Sequence, residues 1–232
     1  GFVAGIIVGV FFLKRGYSLK RTYKQNKGEA LVLPVAQIAL LILVLAAPAF
    51  IFFTAEGPGA KHAAILVSLL AGLIVGALAQ YTRLCMVGGF RDIILFREPK
   101  LLIGFCMIFV TALIGNLAFG KFHPGFLEQP VAHSDSLWNF LGMLLAGFGC
   151  CLLGGCPLRQ MVMTGEGNTD SAITYLGLLV GAAFCHNFGL AASGKGPTEN
   201  GKIAVIIGLV VLLVIAAANT FFKKESQGTE RS

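Results

Sequence analysis

The sequence predicts an all-α integral membrane protein, a transmembrane helix bundle with two short re-entrant helices and a pseudo-symmetric internal repeat. Three observations predict this class. Of the 232 residues, 56% are hydrophobic and only 12% are charged, about half the charged share of a soluble domain. Apolar runs recur at about the 20-residue length that carries a helix across a bilayer. Between them lie two apolar segments that are too short to cross.

Seven apolar runs are predicted to cross the membrane, and together they form one transmembrane domain that covers residues 1–232. The first run is short and opens directly at Gly1 without an initiator Met, so we expect the chain to be the C-terminal part of a longer protein. The fifth run ends in a Gly-Gly-Cys-Pro sequence, which breaks a helix. The predicted crossings are residues 1–13, 31–53, 63–81, 101–119, 137–153, 172–192 and 203–222.

Lysine and arginine are divided unequally between the two sides of this bundle. Fourteen of the 18 fall on the side that holds segments 14–29, 82–100 and 154–171 and the C-terminal tail. Because basic loops stay in the cytoplasm, we expect an inner-membrane protein with a cytoplasmic C-terminus. The basic residues form no stripe along a helix, which argues against nucleic-acid binding. The four on the predicted outer side are Lys61, Lys121, Lys195 and Lys202.

Glycine is abundant, with 30 residues, and several glycines are spaced as small-xxx-small. Gly72 with Gly76 and Gly177 with Gly181 are examples. This spacing lets helix backbones approach closely in lipid, so it predicts tight helix packing at these pairs.

Two segments on the predicted cytoplasmic side, 82–96 and 154–163, are too apolar for solvated loops and too short to cross. Both are interpreted as short helices that dip into the membrane and return, which is tolerated only where the backbone is buried in protein or lines a watery cavity. Each follows a similar helix, with LLAG at 69–72 and again at 144–147. Paired broken helices of this kind indicate a transporter's binding site.

The second broken segment carries groups suited to an anion. Cys156 precedes Pro157, and Pro is favoured at the first helical position, so the cysteine lies where free backbone N–H groups attract anions. Gly154 and Gly155 let an oxyanion approach the backbone closely. Arg159 adds a permanent positive charge, which near membrane depth marks an ion pathway.

The first broken segment repeats the combination of a cysteine and an arginine, here Cys85 and Arg83. A thiol is a soft, weak donor that suits sulfur or selenium better than oxygen. The site would work either with a neutral thiol donor or through a transient covalent bond to the substrate's sulfur or selenium. The alternative for both arginines is a positive-inside anchor. Packing is the expected role of Cys106, Cys150, Cys151 and Cys185.

The motifs RLCMVGGFRD at 83–92, GGCPLRQ at 154–160 and GEGNTD at 165–170 resemble the YeeE/YedE sulfur-transport family, most closely its YedE branch linked to selenium metabolism. The resemblance continues through RGYSLKRTYKQ at 15–25, EGPG at 56–59 and HNFGLA at 186–191. It implies a bundle of two pseudo-symmetric halves with short helices dipping in from the membrane faces.

The resemblance also implies uptake of a small sulfur anion such as thiosulfate, passed between cysteines along a narrow path. Cys85 matches the cysteine after the family's first dipping segment, and Cys156 matches the one in its GCP motif. The YedE branch implies a selenium or sulfur species as substrate. The partners implied are an N-terminal half, absent from this chain, or a small cytoplasmic sulfur-carrier protein.

The predicted function is therefore an uptake permease for a small sulfur or selenium anion, which is not an enzyme and needs no cofactor or resident metal. A membrane thiol oxidoreductase coupled to quinone is the main alternative, although the sequence has no CxxC motif. The third is a carrier of soft metal ions using Cys150, Cys151, Cys156 and His186, although the adjacent basic residues disfavour cations.

Overall fold

The computed structural model describes residues 1–18, 27–46, 63–122, 124–125 and 133–222. Within these residues the chain forms nine α-helices, and a π-helical turn at Ala218–Phe222 extends the last one. The helices are α1 Phe2–Lys14, α2 Lys27–Ala46, α3 Ile65–Thr82, α4 Met86–Phe96, α5 Lys100–Ala118, α6 Ser136–Leu152, α7 Pro157–Gly165, α8 Thr169–Asn187 and α9 Glu199–Ala217.

The membrane class predicted from the sequence is confirmed. Four helical segments of the described residues are long and apolar enough to span a bilayer: Ile65–Phe96, Lys100–Ala118, Ser136–Gly165 and Glu199–Phe221. Most of their large apolar side chains face outward, as expected where the surrounding solvent is lipid.

The seven predicted crossings coincide with α1, α2, α3, α5, α6, α8 and α9. The crossings at 1–13, 31–53 and 172–192 stay predictions, and residues 47–53 of the second lie outside the described part of the chain. The EGPG turn at 56–59 also lies outside it, as do most of the basic loop 15–25 and the tail from 223.

Short helices occupy both broken segments. The 11 residues of α4 and the nine of α7 span about 17 and 14 Å at 1.5 Å per residue, roughly half of a bilayer core. Neither could cross alone. Their entry into the membrane and the pseudo-symmetric repeat stay predictions.

The chain divides into two compact units, and the larger one comprises 1–21, 85–157 and 178–232. Its most extensive helix contact joins α1 to α6. Glycines make this contact close, because a Cβ added at Gly5 would lie 2.6 Å from the backbone nitrogen of Phe148, and one at Gly9 would lie 2.6 Å from Cys151 Sγ. Side chains cannot approach so closely, so the two backbones meet only where glycine stands.

The same unit has an apolar cluster at one end of this contact. Its buried members are Phe12, Tyr17, Phe148, Leu152 and Ala216. They come from α1, the residues just after it, α6 and α9, and therefore hold three helices together around the end of α6 that leads to Cys156.

The second unit comprises residues 22–84 and 158–177, and so contains α2, α3, most of α7 and the beginning of α8. Within it, α3 ends at Arg83 in the left-handed conformation (φ 52°). The N-terminus of α8 is capped by Asn168, whose Oδ1 accepts a hydrogen bond from the Ser171 backbone N–H at 2.9 Å.

The small-xxx-small prediction is wrong for the pairs it named. A Cβ added at Gly72, Gly76, Gly177 or Gly181 would meet no atom of the described residues within 4 Å. The closest helix contact, between α1 and α6, instead involves glycines such as Gly5, Gly9 and Gly147.

Candidate functional site

Cys85 lies at the N-terminus of α4 and caps it. After the left-handed Arg83, the backbone at Cys85 is extended (φ −151°, ψ 113°), and its Sγ accepts a hydrogen bond from the Gly88 backbone N–H at 3.3 Å. This position is usually taken by Ser, Thr, Asp or Asn, whose oxygen satisfies one of the four unpaired N–H groups of a helix start. Here a buried thiol does so.

Cys156 lies directly before α7. The turn after α6 requires glycine, since Gly154 has a φ of +83°, and Pro157 then opens the helix, as the sequence predicts. Gly155 is buried in this turn, and its N–H donates to the Cys150 carbonyl at 3.2 Å. Both cysteines therefore stand at the beginning of the short helices.

The two cysteines meet in the larger unit, although 71 residues separate them. The Cys156 backbone N–H donates to Cys85 Sγ at 3.4 Å, and the two thiols are within hydrogen-bonding reach of each other. Each residue is only 6% exposed, and neither forms a disulfide. The predicted pairing of Cys85 with Cys156 in the interior is thus present in the structure.

Two backbone N–H groups converge on one sulfur atom here. Gly88 and Cys156 both donate to Cys85 Sγ, and the Gly88 N–H belongs to the positive end of a helix dipole. Such an arrangement can bind a small anion, and the adjoining thiols offer soft S–H donors to a sulfur or selenium atom.

Glycine also brings α4 close to α5 beside this site. A Cβ at Gly88 would lie 3.1 Å from the Leu101 side chain, and one at Gly89 would lie 3.3 Å from the Leu102 backbone nitrogen. The glycine pair after Cys85 therefore lets α5 close one side of the thiol pair.

Arg91 is a residue of this site that the sequence analysis did not single out. Its Nη1 donates to the Gly154 carbonyl at 3.2 Å, and its Nε is paired with Asp92 Oδ1 at 2.8 Å. Arg91 thereby connects the helix that Cys85 begins with the turn that precedes Cys156. The sequence could have indicated Arg91 by its location about one and a half helical turns after Cys85. A basic residue at such a position is equally typical of a membrane anchor, however.

The two arginines predicted for the site lie in the second unit. Arg83 is exposed at the end of α3. Arg159 lies in α7, where its Nη1 donates to Gln80 Oε1 at 3.2 Å and lies 3.9 Å from Glu166 Oε1. Gln80 Nε2 in turn donates to Glu166. Arg159 is therefore held in a polar cluster with Gln80 and Glu166, and the role predicted for both arginines in substrate binding stays a prediction.

The remaining cysteines differ in their surroundings. Cys151 is fully buried against Gly9, consistent with the packing role expected for it. Cys150 and Cys185 are half-buried, and Cys106 is exposed on α5. In the part of the chain that the structure describes, no group of three or more His, Cys, Asp or Glu residues could hold a metal ion, so the metal-carrier alternative gains no support.

Comparison with known proteins gives matches in sequence. Residues 81–226 match the family described as Sulphur transport. The thiosulfate transporter TsuA of Escherichia coli (strain K12) is 27% identical over 156 residues, which cover 66% of this chain and 44% of that protein. The thiosulfate transporter TsuA of Spirochaeta thermophila (strain ATCC 700085 / DSM 6578 / Z-1203) is 29% identical over 107 residues, 46% of this chain and 32% of that protein.

The chain thus spans less than half the length of either of these curated relatives. No solved structure matches it. The family match includes both short helices and the two cysteines that precede them.

Proposed function

Because this chain belongs to the sulphur-transport family, we propose that it carries a small sulfur anion such as thiosulfate across the inner membrane past Cys85 and Cys156. The observation that supports the proposal most is the contact of two buried thiols at the starts of two short helices. Both matched relatives are named as thiosulfate transporters. The C-terminus lies in the cytoplasm in this proposal.

The thiol pair selects sulfur by its softness. The terminal sulfur of thiosulfate is a polarisable acceptor that matches an S–H donor, while its sulfonate oxygens suit the backbone N–H groups of Gly88 and Cys156. The substrate replaces Cys85 Sγ as the acceptor of these two N–H groups as it passes. Broken backbone at this depth supplies donors that a continuous helix would have used internally.

Passage of the intact anion fits the pair better than covalent transfer. Attack of a Cys thiolate on the terminal sulfur would release sulfite and leave a persulfide on the cysteine. The neighbouring thiol would then displace hydrosulfide and form a Cys85–Cys156 disulfide. Each cycle would end with an oxidised pair and require a reductant, whereas hydrogen bonding by neutral thiols leaves the pair unchanged.

A selenium substrate belongs to the same proposal, because selenium is softer than sulfur and would bind the same donors. Selenosulfate, the selenium analogue of thiosulfate, should therefore compete with thiosulfate for uptake. Sulfate has the charge but lacks the soft terminal atom, and it should compete poorly.

The quinone-coupled thiol oxidoreductase remains the second candidate because two thiols in contact could also cycle as a disulfide. The two candidates differ in the change that an experiment on vesicles would measure. A transporter accumulates labelled sulfur inside vesicles without any quinone, whereas an oxidoreductase consumes quinone in proportion to thiol oxidised.

The proposal is tested by reconstituting the protein, expressed from its own gene, in proteoliposomes. The uptake of radiolabelled thiosulfate is then measured. Cys85→Ala and Cys156→Ala should each reduce the uptake rate at least tenfold, while Cys106→Ala, an exposed cysteine of α5, serves as the matched control. Uptake that is unchanged in both variants would contradict the proposal. Loss of quinone-linked thiol oxidation in those same variants would then favour the oxidoreductase.

A further inference from the structure

A polar cavity lies at the opposite end of α6 from Cys156. Its volume is about 380 Å³, and its lining includes His133, Asp135, Lys195, Pro197 and Lys202. The 17 residues of α6 span about 25 Å at 1.5 Å per residue, so the cavity is separated from the cysteines by most of a bilayer thickness. All of its lining residues belong to the larger unit.

The residues that carry the positive charges are held by local structure. A tight turn joins Ser193 to Gly196 by two backbone hydrogen bonds of 3.0 and 3.1 Å, and Ser193 Oγ accepts from the Lys195 N–H at 3.3 Å. Thr198 then caps α9, and its Oγ1 accepts a hydrogen bond from the Gly201 N–H at 2.9 Å. Lys202 follows one turn into that helix, so both lysines have fixed backbone positions at the cavity.

The charges at the cavity favour an anion. Two of the four basic residues on the predicted outer side, Lys195 and Lys202, meet here, against one carboxylate in the lining, Asp135. Lys202 Nζ is 2.7 Å from Glu199 Oε1, but Glu199 has an 83% exposed side chain. An exposed pair of this kind is worth little, so an incoming anion can take the place of Glu199.

A buried polar atom of the same cavity lacks a partner. The Nδ1 atom of His133 is out of contact with solvent and has no hydrogen-bond partner among the described residues. Buried polar atoms are nearly always paired. For an oxyanion in the cavity to pair with this nitrogen, the imidazole must turn it toward the cavity.

An apolar cavity of about 230 Å³ adjoins the polar one and shares His133, Pro197 and Lys202 with it. Its other walls include Trp138 and Leu190. Lys202 Nζ lies 5.8 Å from the centre of the Trp138 ring, and Trp138 is the single tryptophan of the chain. The indole therefore stands next to the proposed charge and can report on it.

We propose that this cavity is an oxyanion-binding site formed by Lys195, Lys202 and His133. The oxyanion is either a small free sulfur anion or the phosphate of a lipid headgroup whose chain enters the adjoining apolar cavity. As the first binding site on an uptake path, the cavity rests on the proposed function, but its ability to bind an oxyanion does not.

Tryptophan fluorescence of the protein in nanodiscs of neutral phosphatidylcholine tests the site. Thiosulfate and sulfate, titrated at constant ionic strength, should change the emission of Trp138 saturably, whereas chloride should not. Lys195→Gln and Lys202→Gln should each weaken the binding about tenfold or more, the loss expected when a charged hydrogen bond is removed. Lys121→Gln, on the same predicted side but outside the lining, should titrate like the unaltered protein.

A second experiment tests whether the bound oxyanion is the phosphate of a lipid headgroup. If the emission changes when phosphatidylglycerol replaces part of the phosphatidylcholine, and the two lysine variants lose that change, the oxyanion is a headgroup phosphate. An emission that responds to neither the free anions nor the charged lipid would overturn the proposal. A response that chloride reproduces, or that both lysine variants retain, would overturn it as well.

This titration is separable from transport. Cys156→Ala should reduce uptake at least tenfold if the proposed function holds, yet leave the emission titration as it is. Failure of the uptake experiment with a normal titration would therefore remove the function and keep the site. A flat titration with normal uptake would remove the oxyanion site and keep the proposed function.

Discussion

Replacing Arg91 with Ala should loosen the contact between the two thiols. The Arg91 guanidinium donates to the Gly154 carbonyl at 3.2 Å, and Gly154 lies two residues before Cys156. A hydrogen bond from a charged group contributes about 1.5–3 kcal/mol. Because 27% of the Arg91 side chain is exposed, we take the lower end, about 1.5 kcal/mol, which corresponds to roughly a tenfold change in an equilibrium. The turn should therefore leave Cys85 about ten times more often in the variant.

The rate at which diamide joins the two thiols measures this effect. Diamide takes up two electrons and two protons as a Cys85–Cys156 disulfide forms, and alkylation followed by mass spectrometry identifies the bonded pair. We expect the rate to fall up to tenfold in Arg91→Ala and less in Arg91→Lys, which retains one charged donor. Arg97→Gln, at the exposed end of the same helix, is the control. Equal rates in Arg91→Ala and Arg97→Gln would refute the idea that Arg91 holds the turn in place.

Three further outcomes are expected. Gly9→Ala should overpack α1 against α6, destabilise the protein by about 1–3 kcal/mol and lower its unfolding midpoint in detergent. The control is Gly142→Ala, where the added methyl group meets open space and the midpoint should not fall. Equal midpoints for the two variants would contradict the close contact. Gly154→Ala should lower the free energy of unfolding by about 1–2 kcal/mol, because residue 154 has a φ of +83° that alanine disfavours. It should also slow thiosulfate uptake, whereas uptake by the control variant Gly165→Ala should stay normal. Cys85→Ser should cap α4 at least as well as cysteine does and should not lower the unfolding midpoint, yet it should reduce thiosulfate uptake. Uptake at the normal rate would show that the sulfur atom is dispensable.

Much of the helical plan could be predicted because the bilayer restricts what an apolar run can do. Backbone groups in lipid must be satisfied within the segment, so runs such as 101–119 had one possible structure, and α5 follows it to within one residue at each end. The Gly-Gly-Cys-Pro break was equally readable, since both the glycine turn and the proline start have fixed backbone requirements.

Contacts between helices could be predicted only where the sequence carried paired signals. Cys85 and Cys156 were expected together because each follows an interrupted helix. The small-xxx-small spacing of Gly72 and Gly76 shows that a close approach is possible, but it does not name a partner. The close contact of α1 with α6 instead depends on Gly5 and Gly9, whose role appears only when the facing helix is known.

Arg91 illustrates a different reason for failure. Its hydrogen bond to Gly154 joins residues 63 positions apart, and the acceptor is a backbone carbonyl, which every residue has. No pattern of side chains could therefore have identified the pair. A basic residue near a helix end has a generic explanation in the positive-inside rule, and that explanation concealed the specific contact.

The choice of cysteine as the cap of α4 has an energetic consequence for the proposed transport. A serine or aspartate at this position would hold the Gly88 N–H strongly, because oxygen is a good acceptor. Sulfur is a weak acceptor, so the Gly88 and Cys156 N–H groups are satisfied enough to be buried but are released at small cost. An arriving anion can therefore take these donors without first breaking a strong bond, and the thiols it displaces remain beside its soft atom. A site that must bind an anion and also release it needs this balance. The weak cap provides it at Cys85, which is only 6% exposed.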